Sequence, residues 1–165
     1  MFFSLRQAAP IAVAAALLLA ACSDSGAATT TTISDDHPME FGFGEPADAG
    51  DADRVVEIVA SDDFRFTPDA VTVDVGETIT FRIVNAGQVP HDFTLGDQAT
   101  QDEHDEEMAE MGGMMMDDEA NAVAIAAGET KELTWRFTEE GPVLIGCHQP
   151  GHYAAGMKGT VTVGS

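Results

Sequence analysis

Hydrophobic and polar residues alternate in short runs along the chain from Arg54 onward. Successive side chains of a β-strand point to opposite faces, so this period of two predicts strands that each bury one face. The alternation is clearest in the segments VTVDV and TVTV, and turn-forming residues such as Gly76, Gly128 and Gly141 separate the runs. The predicted strands are residues 55–60, 70–75, 78–84, 92–95, 122–126, 131–138, 143–147 and 159–163.

The number and spacing of these runs predict the fold class. Short β-branched runs between turn signals are typical of an antiparallel β-sandwich or barrel, and the domain over residues 54–165 shows no long amphipathic helix. We therefore expect an all-β domain of about eight strands.

One segment, residues 97–119, does not fit the alternation. Its sequence, DQATQDEHDEEMAEMGGMMMDDE, holds ten acidic residues, five methionines and one histidine, and it contains neither Lys nor Arg. Because it stands between two predicted strands, we interpret it as a long acidic, Met-rich insertion, helical at most around residues 103–111.

The N-terminal 21 residues are typical of a bacterial lipoprotein signal peptide. Arg6 is their only charged residue, and the apolar run IAVAAALLLAA is too short to span a bilayer comfortably. The run ends in LAAC, which resembles the lipobox, where the cysteine, here Cys22, is lipidated and becomes the new N-terminus. The alternative is an ordinary cleavage site beside an incidental cysteine, but the Leu three residues before Cys22 favours lipidation.

Residues 22–53 carry eight acidic residues and no basic one, in a context rich in Gly, Ala and Thr. Such a composition buries too little surface to offset the entropy of ordering, so we expect a flexible acidic tether. Phe41 and Phe43 are the exception, because two phenylalanines are unfavourable in water and are expected to dock against the domain. Together with lipidation of Cys22, this tether would anchor the domain to the cell membrane on its extracytoplasmic side.

The charge excludes one class of partner. The 165 residues include 29 Asp and Glu against 7 Lys and Arg, a formal net charge of -22, which excludes a nucleic-acid binder that grips phosphates with basic side chains. The tether and the insertion hold 8 and 10 of these acidic residues, which leaves 11 acidic against 6 basic residues on the remaining domain. The acidity therefore belongs mostly to two segments and not to the β-domain.

The chemistry-bearing residues lie near the C-terminus. The segment GCHQPGHYAAGMKGTVTV contains Cys147, His152 and Met157, and His91 lies upstream in NAGQVPHDF. A thiolate suits Cu(I), imidazole suits both copper states, and a weak axial thioether tunes a His2Cys site. Each residue alone has an ordinary structural explanation, such as a buried cysteine or a surface histidine, but their joint order favours copper.

These segments resemble the cupredoxins, the blue (type 1) copper proteins, over most of residues 55–163. They are similar to the plastocyanin, azurin and rusticyanin group, and the loop spacing is nearest that of rusticyanin. The resemblance implies a Greek-key β-sandwich that holds one type 1 copper per chain. By position, it implies His91, Cys147 and His152 as equatorial ligands and Met157 as the axial ligand.

The same resemblance implies roles for neighbours of the ligands. Asp92 occupies the position where many cupredoxins have Asn or Ser tying two ligand loops together, and Asn85 is expected to bracket the loop before His91. His148 is reminiscent of multicopper oxidases, but their second copper cluster requires histidines that this chain lacks. Alternation predicts that His148 points away from Cys147, as a hydrogen-bonded or surface histidine.

Three functions remain open at this point. The first is a non-enzymatic, monomeric electron carrier for redox partner proteins, which would dock at the apolar flank of Pro90, Pro150, Tyr153, Ala154 and Ala155. The second is copper capture, buffering or delivery, with extra Cu(I) bound by the insertion. The third is a metal-free interaction module. The candidate residues of a second copper site are His104, Met108, Met111, Met114, Met115 and Met116.

Overall fold

The computed structural model describes residues 41–112, 114 and 117–165, which belong to one compact unit. The leader, Cys22, residues 22–40 of the expected tether, Met115 and Met116 lie outside the described residues. The elements are β1 Gly44–Pro46, a 3-10 turn Ala49–Asp51, β2 Arg54–Ser61, β3 Arg65–Thr67, β4 Ala70–Asp74, β5 Thr78–Asn85, β6 His91–Gly96, α1 Gln98–Glu110, β7 Ala122–Ile125, β8 Thr130–Phe137, β9 Gly141–Gly146 and β10 Lys158–Gly164.

The strands form two five-stranded sheets, in the orders β1-β8-β5-β2-β3 and β4-β10-β9-β6-β7. This arrangement confirms the predicted β-sandwich. Two pairings, β2 with β5 and β4 with β10, are parallel, which differs from the purely antiparallel sandwich that we expected. The chain visits the other sheet between the paired strands, and such a crossover lets a strand re-enter its own sheet in the same direction.

All eight predicted strands occur within two residues of their expected bounds, and β1 and β3 are additional. The fold begins before Arg54, where the sequence analysis placed the start of the domain, because β1 pairs with β8. Phe41 and Phe43 pack on Trp135, with ring centroids 5.0 and 5.1 Å away. Residues 41–53 are therefore part of the sandwich. The docking of Phe41 and Phe43 was expected, whereas the other residues of this stretch were assigned to the flexible tether of residues 22–53.

Helix α1 is longer than the short helical stretch expected around residues 103–111, and it begins earlier. Asp97 caps its N-terminus, since its carboxylate accepts hydrogen bonds from the Thr100 backbone N–H at 2.9 Å and from the Thr100 hydroxyl at 3.0 Å. Gln101, His104 and Met108 form its buried face, at the spacing of one side of a helix. No helix in the described part of the chain is long and apolar enough to cross a membrane.

Aromatic and branched aliphatic side chains fill the space between the sheets. The fully buried members include Trp135, Phe81, Phe93, Phe137 and Ile58. The core continues to one end of the second sheet, where it meets the buried side chains of Cys147 and Met157.

Candidate metal centre

Two neighbouring strands bring the ligand residues to one end of the second sheet. His91 is the first residue of β6, and Cys147 directly follows β9. Because β6 and β9 pair antiparallel, the beginning of one lies beside the end of the other. The loop from β9 to β10 then carries His152 and Met157.

Backbone hydrogen bonds close this loop. The Met157 N–H donates to the His152 carbonyl at 3.0 Å, and the Cys147 N–H donates to the Met157 carbonyl at 3.2 Å. Both side chains at the ends of the loop, Cys147 and Met157, are fully buried. Backbone hydrogen bonds thus hold Met157 beside both Cys147 and His152.

Three donor atoms converge at this point. The Nδ1 atoms of His91 and His152 lie 3.2 Å apart, and the Cys147 Sγ lies 3.8 Å and 3.4 Å from them, respectively. Metal–nitrogen and metal–sulfur bonds of about 2.0–2.3 Å, as in zinc sites, bring ligand atoms to such separations around one ion. The geometry therefore fits a single metal ion, and one thiolate with two imidazoles is the donor set that suits copper.

Burial shifts the pKa values of all three donor groups. It lowers the pKa of His91, which the neighbouring His152 lowers further while Asp62 and Asp92 partly oppose the shift. Burial also lowers the pKa of His152, so both imidazoles keep free lone pairs at neutral pH. Burial, and then the charge of Asp92, raises the pKa of the Cys147 thiol. The thiolate therefore needs a bound cation, and metal binding should release a proton.

Asp92 connects the two ligand segments. Its Oδ1 accepts hydrogen bonds from the backbone N–H groups of His148 at 2.8 Å and Gln149 at 3.0 Å. Its own backbone N–H points to the Cys147 Sγ at 3.5 Å. Asp92 thus lies where a residue tying the two loops was expected.

Asn85 fixes the segment before His91 to the neighbouring strand. Its Nδ2 donates to the carbonyls of Val89 at 2.8 Å, Ile125 at 3.1 Å and Ala126 at 3.1 Å. Its Oδ1 accepts from the Gly87 N–H at 2.9 Å. The side chain therefore brackets the loop from both sides.

His148 is buried under α1. Its Nε2 lies 2.7 Å from Gln101 Oε1, its Nδ1 lies 3.3 Å from Asp105 Oδ1, and its ring stacks on Tyr153 with centroids 4.5 Å apart. Of the two alternatives for this residue, the structure shows the hydrogen-bonded histidine and not the surface one. The preceding Gly146 leaves room for this packing, since a Cβ there would overlap Gln101 and His148.

The sequence analysis missed two residues beside the ligands. The Phe64 ring lies 4.4 Å from the His152 ring at an angle of 37°, and Phe64 adopts a left-handed φ of 58°. Asp62 Oδ1 lies 3.9 Å from His91 Nε2 and accepts a hydrogen bond from the Gln88 N–H. The polar pair Asp62-Asp63 signals a turn in the sequence, but only the topology places that turn against the ligand loops.

The residues proposed for a second copper site occupy different environments. His104 and Met108 are buried on the inner face of α1, and both line a small cavity with Asp92. Met111, which directly follows the last residue of α1, is half-buried, and Met114 is 66% exposed. His104 also groups with two residues not named for this site, Glu107 and Glu119, with one donor atom each within 4.8 Å of the others.

Known proteins share this sequence pattern and fold. Residues 53–164 match the family described as copper binding proteins, plastocyanin/azurin family. The copper-resistant cuproprotein CopI of Rubrivivax gelatinosus is 42% identical over 127 residues, which cover 77% of this chain and 76% of that protein. CopI of Pseudomonas aeruginosa is 38% identical over 149 residues, with 73% of this chain and 82% of that protein covered.

Among solved structures, the dithionite-reduced auracyanin of Roseiflexus castenholzii superimposes with a TM-score of 0.60 at 27% identity. The superposition covers 69% of this chain and 99% of the auracyanin chain. Nearly the whole auracyanin chain is therefore similar in fold to about two thirds of this chain.

Proposed function

Because this chain belongs to the plastocyanin/azurin family of copper-binding proteins, we propose that it transfers single electrons through one type 1 copper ion. The observation that carries the proposal is the convergence of His91 Nδ1, Cys147 Sγ and His152 Nδ1 on one point. Copper supplies the chemistry, since it alternates between Cu(I) and Cu(II) in such a site. The protein supplies fixed ligands, which keep the two states similar in geometry.

Burial of the ligands supports electron transfer over substrate chemistry. His91, Cys147 and Met157 are fully buried, whereas His152 is half-exposed at the protein surface. With four protein ligands, the copper ion would have no open position for a substrate. Electrons would therefore enter and leave through the His152 edge.

The surface around His152 suits a protein partner. Pro90, Pro150, Ala154 and Ala155 are exposed there, and Val89 adds a further apolar side chain. None of the acidic residues of the tether belongs to this apolar patch. We propose that redox partner proteins dock on it, and that the chain acts as a monomer.

The N-terminal sequence supports a location outside the cytoplasm. The apolar leader and the LAAC motif favour lipidation of Cys22, which would anchor the domain to the cell membrane. Mass spectrometry of the mature protein would test this directly: a diacylglyceryl group on Cys22 supports the anchor, and an unmodified N-terminus at another residue contradicts it.

A Cu(II) titration followed by visible absorption and EPR tests the copper centre. We expect the wild type to develop an intense thiolate-to-copper band and a narrow copper hyperfine splitting at one equivalent of Cu(II). Cys147→Ala should lose both signals, because it removes the thiolate, whereas the exposed Met114→Leu should keep them. Equal spectra from wild type and Cys147→Ala would contradict the proposal.

Copper capture or delivery is the second candidate function. It is favoured by the name of the CopI relatives, copper-resistant cuproproteins, and by the Met-rich insertion of this chain. Thioethers prefer Cu(I), so the insertion would bind the reduced ion.

Reduction separates the two functions. After ascorbate reduces the loaded protein, an electron carrier retains its copper against a Cu(I) chelator and is oxidised again reversibly. A delivery protein yields its copper to the chelator, and it binds extra Cu(I) equivalents that disappear on Met→Leu substitution in the insertion. Substitution is preferable to deletion of residues 97–119, because α1 covers His148.

A further inference from the structure

His104 is a buried histidine of α1 that the copper centre does not use. Only 6% of its surface is exposed. Its Nε2 lies 3.7 Å from Asp92 Oδ2, and its Nδ1 lies 4.0 Å from Glu107 Oε2. Both distances exceed that of a direct hydrogen bond, so a buried polar ring is left without a close partner among these carboxylates.

Two carboxylates lie close to this ring. Glu107 lies one helical turn after His104, and Glu119 is held by reciprocal backbone hydrogen bonds with Ala122, where β7 begins. His104, Glu107 and Glu119 offer one donor atom each, all within 4.8 Å of one another. Three donors from two separate elements thus meet at one point.

Space for further ligands is present beside them. A cavity of about 430 Å³ is lined by these three residues together with Glu103, Thr100, Asn121 and Phe41. The cavity is partly open to solvent and about half of its lining is polar, so water molecules could complete the coordination of an ion.

We propose that His104, Glu107 and Glu119 bind a second metal ion, and that this ion is Cu(II). One imidazole and two carboxylates suit a divalent transition metal, and Cu(II) binds such donor sets most tightly among the first-row divalent ions. The site differs from the Met-rich candidate, because its nitrogen and oxygen donors favour Cu(II) where thioethers favour Cu(I). The inference does not depend on the electron-transfer proposal.

Asp92 completes the arrangement on the far side of the ring. A histidine that ligates a metal usually directs its other ring N–H to a carboxylate, which orients the ring and strengthens the ligand. His104 Nε2 lies 3.7 Å from Asp92 Oδ2, while the other ring nitrogen, Nδ1, lies 4.0 Å from Glu107 Oε2. Asp92 also contacts the Cys147 and His148 segment, so one carboxylate lies between both sites.

The test is a titration of the full-length protein whose first copper centre is already filled. A second equivalent of Cu(II) is added and followed by EPR at low temperature. We expect a second signal with a wide copper hyperfine splitting, nitrogen coupling from one imidazole and no intense visible band. The double variant Glu107→Gln/Glu119→Gln should bind this second ion at least tenfold more weakly.

Two control variants make the result specific. Glu106→Gln/Glu110→Gln removes the same charge from exposed positions of the same helix and should bind the second ion as the wild type does. Met111→Leu/Met114→Leu should also leave its affinity unchanged. Unchanged circular dichroism and an unchanged blue band would show that each variant is folded.

Three outcomes would overturn the proposal: no saturable second equivalent in the wild type, an equal loss in the Glu106/Glu110 control, or loss only in the methionine variant. The test distinguishes this proposal from that of a type 1 copper centre. If the type 1 proposal is wrong, the first equivalent of Cu(II) gives no intense thiolate-to-copper band, but the EPR signal of copper at His104 can still be measured.

Discussion

The carboxylate of Asp92 lies directly against the candidate copper ligands. Its Oδ1 lies 3.4 Å from Cys147 Sγ while it accepts two backbone hydrogen bonds from the following residues. A neutral Asn or Ser could tie the loops together equally well. The aspartate therefore adds an electrostatic effect, since a buried negative charge stabilises Cu(II) relative to Cu(I).

We predict that Asp92→Asn raises the reduction potential of the copper centre. The amide oxygen can keep the backbone hydrogen bonds, but the loss of one charge a few ångströms from the metal should shift the potential by on the order of 100 mV. Protein-film or solution voltammetry measures this directly.

Asp62→Asn is the matched control, because it removes the same charge near His91 from a side chain that is 45% exposed. Solvent screens that charge, so its effect on the potential should be clearly smaller. A larger shift from Asp62→Asn would contradict the role assigned to Asp92.

Residue type and order indicated copper, and the resemblance to the cupredoxins implied which residues would bind it. The structure brings donor atoms of three of them, His91, Cys147 and His152, together. The contacts of Phe64 and Asp62 could not be predicted in the same manner. A phenylalanine and an aspartate have many uses in a turn, and their proximity to His152 and His91 arises only when the β2–β3 hairpin folds over the ligand loops.

Helix α1 supports the ligand loop from outside the sandwich. Gln101 connects three elements: its Nε2 donates to the Thr94 carbonyl at 3.1 Å and approaches the Leu144 carbonyl at 3.4 Å, and its Oε1 faces His148. The acid-rich insertion thus contributes a buried polar network beside the copper centre.

We predict that Gln101→Ala lowers the free energy of unfolding of the copper-free protein by about 2–3 kcal/mol. The substitution leaves buried groups of His148 and of two strands unpaired, and each such group costs about 1–3 kcal/mol before relaxation. Urea denaturation provides the measurement.

Gln98→Ala serves as the comparison, because Gln98 bonds only to Asp102 on the exposed side of the same helix. Its cost should stay within about 0.5 kcal/mol. Equal costs for the two variants would show that the Gln101 network does not stabilise the fold.

The polar character of the buried face of α1 explains why the sequence analysis predicted too short a helix. Its buried face consists of Gln101, His104 and Met108, two of which are polar, so no apolar stripe marks the helix. The strands were easier to predict, since alternating Val, Ile and Thr report their burial directly. The short strands β1 and β3, of three residues each, carry too few positions to show a period.

Buried histidines make the stability of the copper-free protein depend on pH. Burial lowers the pKa of His91, His148 and His152 in the folded state. Unfolding restores a pKa near 6.5, so the unfolded chain takes up protons first as the pH falls. The stability from these groups is full above about pH 6.5 and is lost below it.

We predict that the free energy of unfolding of the copper-free protein falls by about 1–2 kcal/mol between pH 7.5 and 5.5, with His152 contributing least because its edge reaches solvent. Urea titrations in moderate salt, which screens repulsion between the acidic segments, would measure it. His148→Gln should reduce the pH dependence. A stability that is constant or increases over this range would contradict the prediction.

The attachment of β1 and of its neighbouring phenylalanines to the first sheet would matter mechanically in a lipid-anchored protein. Tension along the chain before Phe41 would first load the β1–β8 hydrogen bonds and the aromatic contacts of Phe41 and Phe43 with Trp135. These belong to the first sheet, whereas His91 and Cys147 extend from strands of the second. In the lipid-anchored protein that we propose, such tension would load the first sheet, and the distances among the candidate ligands on the second sheet would stay constant.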